Sequence, residues 1–288
     1  MKSDGILRKP EWIRVRPPSG ASFLHVSQVL ERRRLHTVCD EARCPNKAEC
    51  WGCGTATFMI MGDICTRGCR FCAVATARQG CPIDPTEPEE LAAAIEELSL
   101  KYAVLTSVDR DDLEDRGSGH FAACIRAIKT RTPQVRVEVL IPDYVEGELE
   151  IVAEAKPDVV AHNVETVRSL QSVRDRRANF DTSLNVLGLA KSLGIPLTKS
   201  SLLLGLGEAE AEVLSTMDEL RSAHVDVLVL GQYLQPTAKQ IPVAEYIHPD
   251  RFAQYRDAGL AKGFSAVVAG PFARTSYHAM DAWESRKT

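Results

Sequence analysis

Residues 56–72 read ATFMIMGDICTRGCRFC, an apolar run that passes directly into a short loop holding three cysteines. Ala56–Gly62 is too short for a core helix and lacks the alternation of a half-exposed strand, so it reads as a buried strand. Cys65, Cys69 and Cys72 then follow at its C-terminal end. The same unit of apolar strand, polar loop and amphipathic helix recurs downstream. Strands are expected at Tyr102–Val108, Val135–Pro142, Asp158–Glu165, Pro196–Gly207, Val225–Leu234 and near Phe264–Ala269. Helical spacing fills Glu89–Leu100, Phe121–Lys129, Glu148–Ala155, Asp181–Leu193, Glu210–Ala223 and Pro249–Lys262. Strands separated by helices of this length must pair in parallel through crossovers. The expectation is therefore an α/β protein, a partial (β/α) TIM-type barrel of about six β/α units. A doubly wound sheet would call for a G-x-G-x-x-G turn after the first strand, and the chain has none.

Around this core the chain divides into an N-terminal extension (1–54), the barrel (55–270) and a C-terminal tail (271–288). The extension opens irregularly, with Pro10, Pro17 and Pro18, before a helical stretch at Ser22–Arg34. In such barrels chemistry sits at the C-terminal strand ends. Those ends read Asp63–Cys72, Thr106–Asp112, Pro142–Tyr144, His162–Glu165, Lys199–Ser201 and Gln232–Gln235, all polar after apolar strands.

The composition excludes several classes. With 288 residues, 44% of them hydrophobic and 26% charged, the chain is neither disordered nor collagen-like. A net charge of -4 gives no overall attraction to nucleic acid or an anionic membrane, so neither is expected as a partner. No apolar run reaches membrane-spanning length, and MKSDGILRKPEW lacks the apolar region of a secretory signal. A cytoplasmic location is expected.

Seven of the nine cysteines fall between residues 39 and 72. In a reducing compartment such crowding points to metal or cluster binding rather than disulfides. Cys65-x3-Cys69-x2-Cys72 can hold three irons of a [4Fe–4S] cluster and leave the fourth open. Cys39-x4-Cys44-x5-Cys50 repeats the three-thiolate pattern upstream. A third grouping, Cys50-x2-Cys53 with Cys69-x2-Cys72, matches a four-cysteine zinc spacing. Spacing alone leaves these alternatives open. Cys124, in helical FAACIRAI, and Cys81, beside Pro82, read as inert thiols.

The triad at 65–72, with Phe71 before its last cysteine, resembles the signature of the radical S-adenosylmethionine superfamily. The upstream triad in TVCDEARCPNKAECW resembles the auxiliary-cluster motif of the lipoyl synthase family. The likeness continues through TSVDRDDLEDRGSGHF, VEVLIPD, HNVET, TKSSLLLGLGE and GQYLQPT to GPFARTSYHA. There Thr275 stands where the family's R-S-S-Y motif has its first serine.

This resemblance implies two [4Fe–4S] clusters and S-adenosyl-L-methionine, two molecules being consumed per lipoyl group. Cys65, Cys69 and Cys72 would bind the cluster that cleaves S-adenosylmethionine to a 5′-deoxyadenosyl radical. Cys39, Cys44 and Cys50, with the Ser276 oxygen as fourth ligand, would bind a cluster dismantled as the sulfur source. Sulfur would enter at C6 and C8 of an octanoyl chain on a carrier-domain lysine. Carriers of this kind are 2-oxoacid dehydrogenase E2 subunits and the glycine cleavage H protein, with ferredoxin or flavodoxin as electron donor. Cofactor contacts are expected from Thr106 and Ser107 (methionyl amino group), Asn163 and Glu165 (ribose), and Lys199 and Ser200 (carboxylate). Gln232–Leu234 are expected near adenine. Arg274 is a candidate for positioning the serine or the substrate. The charge run Asp109–Asp112 reads as a solvated loop without chemistry. Glu31–Arg34 and Arg174–Arg177 are candidate surfaces for an acidic carrier.

Overall fold

The apolar runs become strands, and the order in which they pair decides the architecture. A computed structural model describes residues 7–15, 20–53, 56–277, 279 and 280. Pro17, Pro18 and the tail beyond residue 280 lie outside these. Among the described residues the strands are β1 (His36–Thr37), β2 (Thr57–Ile60), β3 (Ile64–Cys65), β4 (Ala75–Thr76) and β5 (Tyr102–Ser107). They continue as β6 (Arg136–Leu140), β7 (Val159–Ala161), β8 (Leu197–Leu204), β9 (Val227–Gln232) and β10 (Ala266–Gly270). The main sheet runs β1-β2-β5-β6-β7-β8-β9-β10, and β3 pairs with β4 apart from it. From β2 to β10 every pairing is parallel. Pairing in chain order without a reversal is the winding of a barrel, not of a doubly wound sheet with a switch point. The sheet is open between its two edge strands, so the barrel is partial.

Helices α1 (Ala21–Arg32), α2 (Val38–Glu41) and α3 (Lys47–Gly52) belong to the N-terminal segment. The crossovers carry α4 (Glu87–Glu97), α5 (Ser118–Arg131), α6 (Glu148–Glu154), α7 (Phe180–Ser192), α8 (Glu210–Ser222) and α9 (Pro249–Ala261). Local chemistry sets their starts. Pro88 opens α4 beside Glu87, Glu89 and Glu90, which oppose the positive end of the helix dipole. Asn179 caps α7 by accepting the Thr182 N–H at 2.8 Å. Val137 and Val139 of β6 face outward into a core shared with Leu91 and Ile95 of α4 and Ile125 of α5. Glu138 lies between them on the opposite, interior face, and with Lys199 and Thr106 it gives the barrel interior a buried polar content. No helix among the described residues is long and apolar enough to cross a membrane.

The expected α/β partial barrel is what forms, as six β/α units followed by β10. The short elements β1, α2, α3 and the 3-10 turn Arg168–Val173 have no periodicity to read. One strand end differs from expectation. β8 continues to Leu204, paired with β9 as far as Gln232, so Lys199 lies within the strand rather than at its rim. Gly205 (φ +92°) and Gly207 (φ +113°) then turn the chain in the left-handed region, which accounts for the glycines without a phosphate loop.

Beyond β10 the chain folds back over β9. A β-carbon on Gly231 would stand 2.0 Å from the Ala273 carbonyl oxygen, so only glycine lets the turn lie this close. Gly231→Ala should lift residues 271–277 away from β9, at an overpacking cost of about 1–3 kcal/mol. Limited proteolysis checks this. Cleavage near residue 275 should accelerate while thermal unfolding of the barrel shifts little.

Candidate active site

The C-terminal rims of the parallel strands surround one cavity of about 620 Å³. Cys65, Cys69 and Cys72 line one wall, and Thr106, Ser107, Asn163 and Glu165 line the strand ends. Cys44 and Ser276 reach it from the opposite chain termini.

The loop carrying Cys65, Cys69 and Cys72 is pinned by the segments around it. The Thr66 amide and hydroxyl both donate to the Asp109 carbonyl at 3.0 Å. The Gly68 amide donates to Asp175 Oδ2 at 2.9 Å, and the Arg70 amide to the Val173 carbonyl at 2.8 Å. Gln240 Nε2 donates to the Cys72 carbonyl at 3.0 Å. Amides point at each sulfur of the loop: those of Arg67 and Asp109 at Cys65 Sγ (3.4 Å each), that of Asp175 at Cys69 Sγ (3.2 Å) and that of Val74 at Cys72. Such donors stabilise negative charge on a ligating sulfur and tune a cluster's potential.

Behind this loop lies a charge network that the expectation of a solvated run at Asp109–Asp112 did not include. Arg67 is buried and pairs with Asp109 (3.4 Å), Asp111 (3.0 Å) and Asp143. Arg110 is buried as well and pairs with Asp112 at 2.8 Å. Four consecutive charges read as solvent-facing because Arg67, the partner of Asp109 and Asp111, is distant in sequence, while Arg110 and Asp112 satisfy each other inside the fold. Burial works to raise the Asp143 carboxyl, but His162 and Arg67 hold it well below the usual carboxylate range. Asp109 goes the other way, pushed up by burial and by its neighbours Asp143 and Asp111 against the pull of Arg67. Arg174, expected at the surface, is buried and donates to Ser183 Oγ at 3.0 Å. Arg32 and Arg33 are likewise committed, to Glu97 and, for Arg33, also Glu90.

The six triad thiols are raised by burial. Cys39 and Cys72 rise to about 11 and Cys50, Cys65 and Cys69 to about 12. Neighbouring thiols add to the rise: Cys39, Cys44 and Cys53 act on Cys50, and Cys65, Cys69 and Cys72 act on one another. Buried thiols of this kind give up their protons to a cation. Among the described residues no three cysteine sulfurs lie within 4.8 Å of one another. Four thiolates on one zinc ion would need about 3.8 Å between sulfurs, given Zn–S bonds of about 2.3 Å. Cys53 is moreover exposed at the end of α3. The four-cysteine zinc grouping is not assembled among the described residues.

The upstream triad is built on short elements. Cys39 rides on α2, whose first turn is capped by the Thr37 hydroxyl accepting from the Asp40 amide. The Cys44 amide donates to the Cys39 carbonyl at 3.1 Å. Cys50 lies on α3, anchored by Trp51 packed on Phe23 of α1 with ring centroids 5.1 Å apart. The C-terminal turn docks on this segment. Asn46 Nδ2 donates to the Phe272 carbonyl at 2.7 Å, and the Tyr277 hydroxyl to Glu49 Oε1 at 2.8 Å. Thr275 Oγ1 is occupied with Asn163 Oδ1 at 3.1 Å. The Ser276 hydroxyl has no partner among the described residues and borders the cavity, which Cys44 also lines.

The expected cofactor contacts divide. Thr106 lines the cavity but donates to the Leu140 carbonyl at 3.2 Å. Ser107 Oγ is buried without a partner, an orphaned donor at the cavity wall. Asn163 and Glu165 both border the cavity. Glu165 holds φ +66°, rare for a non-glycine, and is locked there by backbone bonds to Ser201 and Leu203. Its carboxyl is raised by burial, with Arg174 opposing. Lys199 and Gln232 depart from expectation. Lys199 is buried inside the barrel against Glu138, and Gln232 is spent on the Leu204, Tyr233 and Glu245 carbonyls. Tyr233 and Leu234 do border the cavity. Arg274 donates to the Gln232 carbonyl at 3.0 Å, so it ties the tail to β9.

The chain matches the Radical SAM superfamily model over residues 59–220. A second model, the N-terminal domain of lipoyl synthase of the radical SAM family, matches residues 1–44. It is 53% identical to the lipoyl synthase of an Anaeromyxobacter species, covering 95% of this chain and 94% of that one. It is 50% identical to the lipoyl synthase of Treponema denticola, covering 94% of each. Among solved structures, the FeFe-hydrogenase maturase HydG from Carboxydothermus hydrogenoformans aligns with a TM-score of 0.60 at 17% identity, over 91% of this chain and 60% of that one. Methylornithine synthase (PylB) aligns at 0.57 and 13% identity, over 86% and 78%. These two likenesses concern the fold.

Removing Arg67 should be costly, because it strands Asp109, whose ion pair is with Arg67, and weakens the holds on Asp111 and Asp143. Arg67→Met is expected to lose about 3–5 kcal/mol at neutral pH. In the native protein, Asp111 and Asp143 are held low, so their contribution is present above about pH 4 and lost as pH falls through the lowered values. In the variant Asp109, already raised by burial, would lose the pull of Arg67 and titrate higher still, so its share of the deficit should grow as pH rises. Urea unfolding at pH 5 and pH 8 checks this, with the smaller deficit expected at pH 5.

Proposed function

The chain belongs to the lipoyl synthase family of radical S-adenosylmethionine enzymes, which insert sulfur, and from that footing we propose its reaction in detail. It inserts two sulfur atoms, at C6 and C8, into an octanoyl chain amide-linked to a lysine of a lipoyl carrier domain. Carrier domains of the 2-oxoacid dehydrogenase E2 and glycine cleavage H type are the partners, with ferredoxin or flavodoxin as electron donor. The observation that carries this reading is the pair of thiol triads, Cys44 of one and all three members of the other opening on one cavity. The nine free cysteines suit a reducing cytoplasm.

In this reading Cys65, Cys69 and Cys72 hold one [4Fe–4S] cluster, and Cys39, Cys44, Cys50 and Ser276 hold a second. Bound there with S-adenosylmethionine, these groups supply the one-electron chemistry and the sulfur that no side chain can provide for an unactivated C–H bond. The protein's own share is positioning. The amides on Cys65 and Cys69 stabilise thiolate charge, and the Arg67 network keeps the loop in place. Ser107, Asn163 and Glu165 offer hydroxyl, amide and carboxyl groups to the polar parts of S-adenosylmethionine. Val108, Leu140 and Leu203 present apolar wall to an alkyl chain and limit water at the reacting carbons. Ser276 supplies a hard oxygen where iron prefers soft sulfur, a weak hold suited to an iron that must be released.

Two sets of substitutions divide the labour. Cys65, Cys69 and Cys72→Ala should abolish S-adenosylmethionine cleavage. Cys39, Cys44 and Cys50→Ala should keep a measurable fraction of cleavage but yield no sulfur-bearing product. A single-turnover assay with an octanoyl-lysyl peptide and reductant, read by mass spectrometry, distinguishes them. Equal loss of cleavage in both folded sets would defeat the assignment.

A further inference from the structure

Inside the barrel, where branched apolar side chains are usual, a lysine meets a glutamate. Lys199 is 2% exposed and Glu138 wholly buried. Lys199 Nζ donates to Glu138 Oε1 at 2.8 Å and Oε2 at 2.7 Å, and to the Thr275 carbonyl at 3.0 Å. The Tyr102 hydroxyl donates to Glu138 Oε2 at 2.5 Å and orients it from β5. An ammonium has three N–H donors, and all three are spent. None is left for a cofactor.

A buried ion pair is weak as a stability device, because an apolar pair of similar volume is often as good or better. An apolar pair cannot, however, hold a peptide carbonyl. The carbonyl held here belongs to the residue before Ser276. Around it, the Thr275 side chain is tied to Asn163, Arg274 to β9 and Tyr277 to α3. Of these four contacts, only the lysine's grips the backbone of the turn from within the barrel.

We propose that the Glu138–Lys199 pair is a positioning strut, in which β6 and β8 fix the Thr275 carbonyl and so aim the Ser276 hydroxyl at the Cys39, Cys44 and Cys50 triad. The proposal rests on the reading of Ser276 as the oxygen ligand of the auxiliary cluster. Lys199 and Glu138 act through Ser276 and touch neither cluster nor substrate.

The test uses anaerobically reconstituted full-length protein carrying Cys65, Cys69 and Cys72→Ala, so that every iron signal comes from the auxiliary set. Ser276→Ala is compared with the double variant Lys199→Met, Glu138→Leu, which removes both charges and strands neither. The readouts are the Mössbauer spectrum, the rate of iron loss to a chelator and amide exchange over residues 271–277. The double variant should keep the unfolding temperature of its parent, reproduce the altered iron signature of Ser276→Ala and lose iron about tenfold faster, the worth of one buried hydrogen bond. Adding Ser276→Ala to it should change the iron signature no further. If Ser276→Ala alters the signature and the double variant does not, the strut is overturned. If Ser276→Ala itself leaves signature and rate unchanged, the ligand reading fails, whatever the double variant does. Should the double variant not fold, Glu138→Gln keeps the side-chain shape and one acceptor oxygen. An iron-loss rate between parent and Ser276→Ala is then expected, and a parental rate would overturn the strut.

Discussion

A parallel sheet wound in one direction delivers every strand to the same rim. This constraint governs the molecule, because side chains tens of residues apart must share a single cavity mouth. Each strand contributes only two or three residues there before a crossover carries the chain away. The rim is also where backbone hydrogen bonds of the sheet run out, so loops must find partners in one another. Here they do so through side chain to backbone bonds, as in Asp175 with Gly68, Thr66 with Asp109 and Gln240 with Cys72. The cysteine loop has its shape because three other loops hold it.

That dependence explains what was legible in the chain and what was not. The strands and crossover helices could be read because periodicity and length are local properties, as in Tyr102–Ser107 and Glu210–Ser222. The place of Cys65, Cys69 and Cys72 at the rim could be read because they directly follow a strand whose apolar run is a local signal. The misread residues are those whose meaning depends on a distant partner. Asp109–Asp112 resembles a solvated run until Arg67 is brought in from the preceding loop. Arg174 resembles a surface arginine until Ser183 and Asp143 close on it. Lys199 resembles a rim residue because Ser200 and Ser201 beside it are polar, yet β8 runs past all three. In each case a charge was read as exposed because its counter-charge lay elsewhere in the sequence.

The buried charges are not distributed evenly. One set, Arg67 with Asp109, Asp111 and Asp143, stands behind the cysteine loop. A second, Lys199 with Glu138, stands beneath the C-terminal turn. Both lie where an irregular segment must be held with little apolar surface of its own. Hydrophobic contact is non-directional, so it fixes a helix against a sheet but leaves a short loop free to rock. Hydrogen bonds to fixed charges restore direction, at the desolvation cost that pairing offsets.

The turn at 271–277 brings this reasoning to its limit case. It has no helix or strand to pack, and its only close packing on the sheet depends on the missing side chain of Gly231. Its polar contacts reach several regions at once: α3 and its N-cap through Tyr277 and Asn46, β9 through Arg274, β8 through Lys199, and the rim of β7 through Thr275 and Asn163. Asn163 in turn supports Glu165, whose strained backbone is bonded to β8. A displacement of the turn therefore perturbs the N-terminal thiol triad and the opposite cavity wall together. The N-terminal thiols are thus tied to the cavity wall by a few polar contacts at the chain's other end. The barrel strands beneath supply the rigidity that the turn lacks.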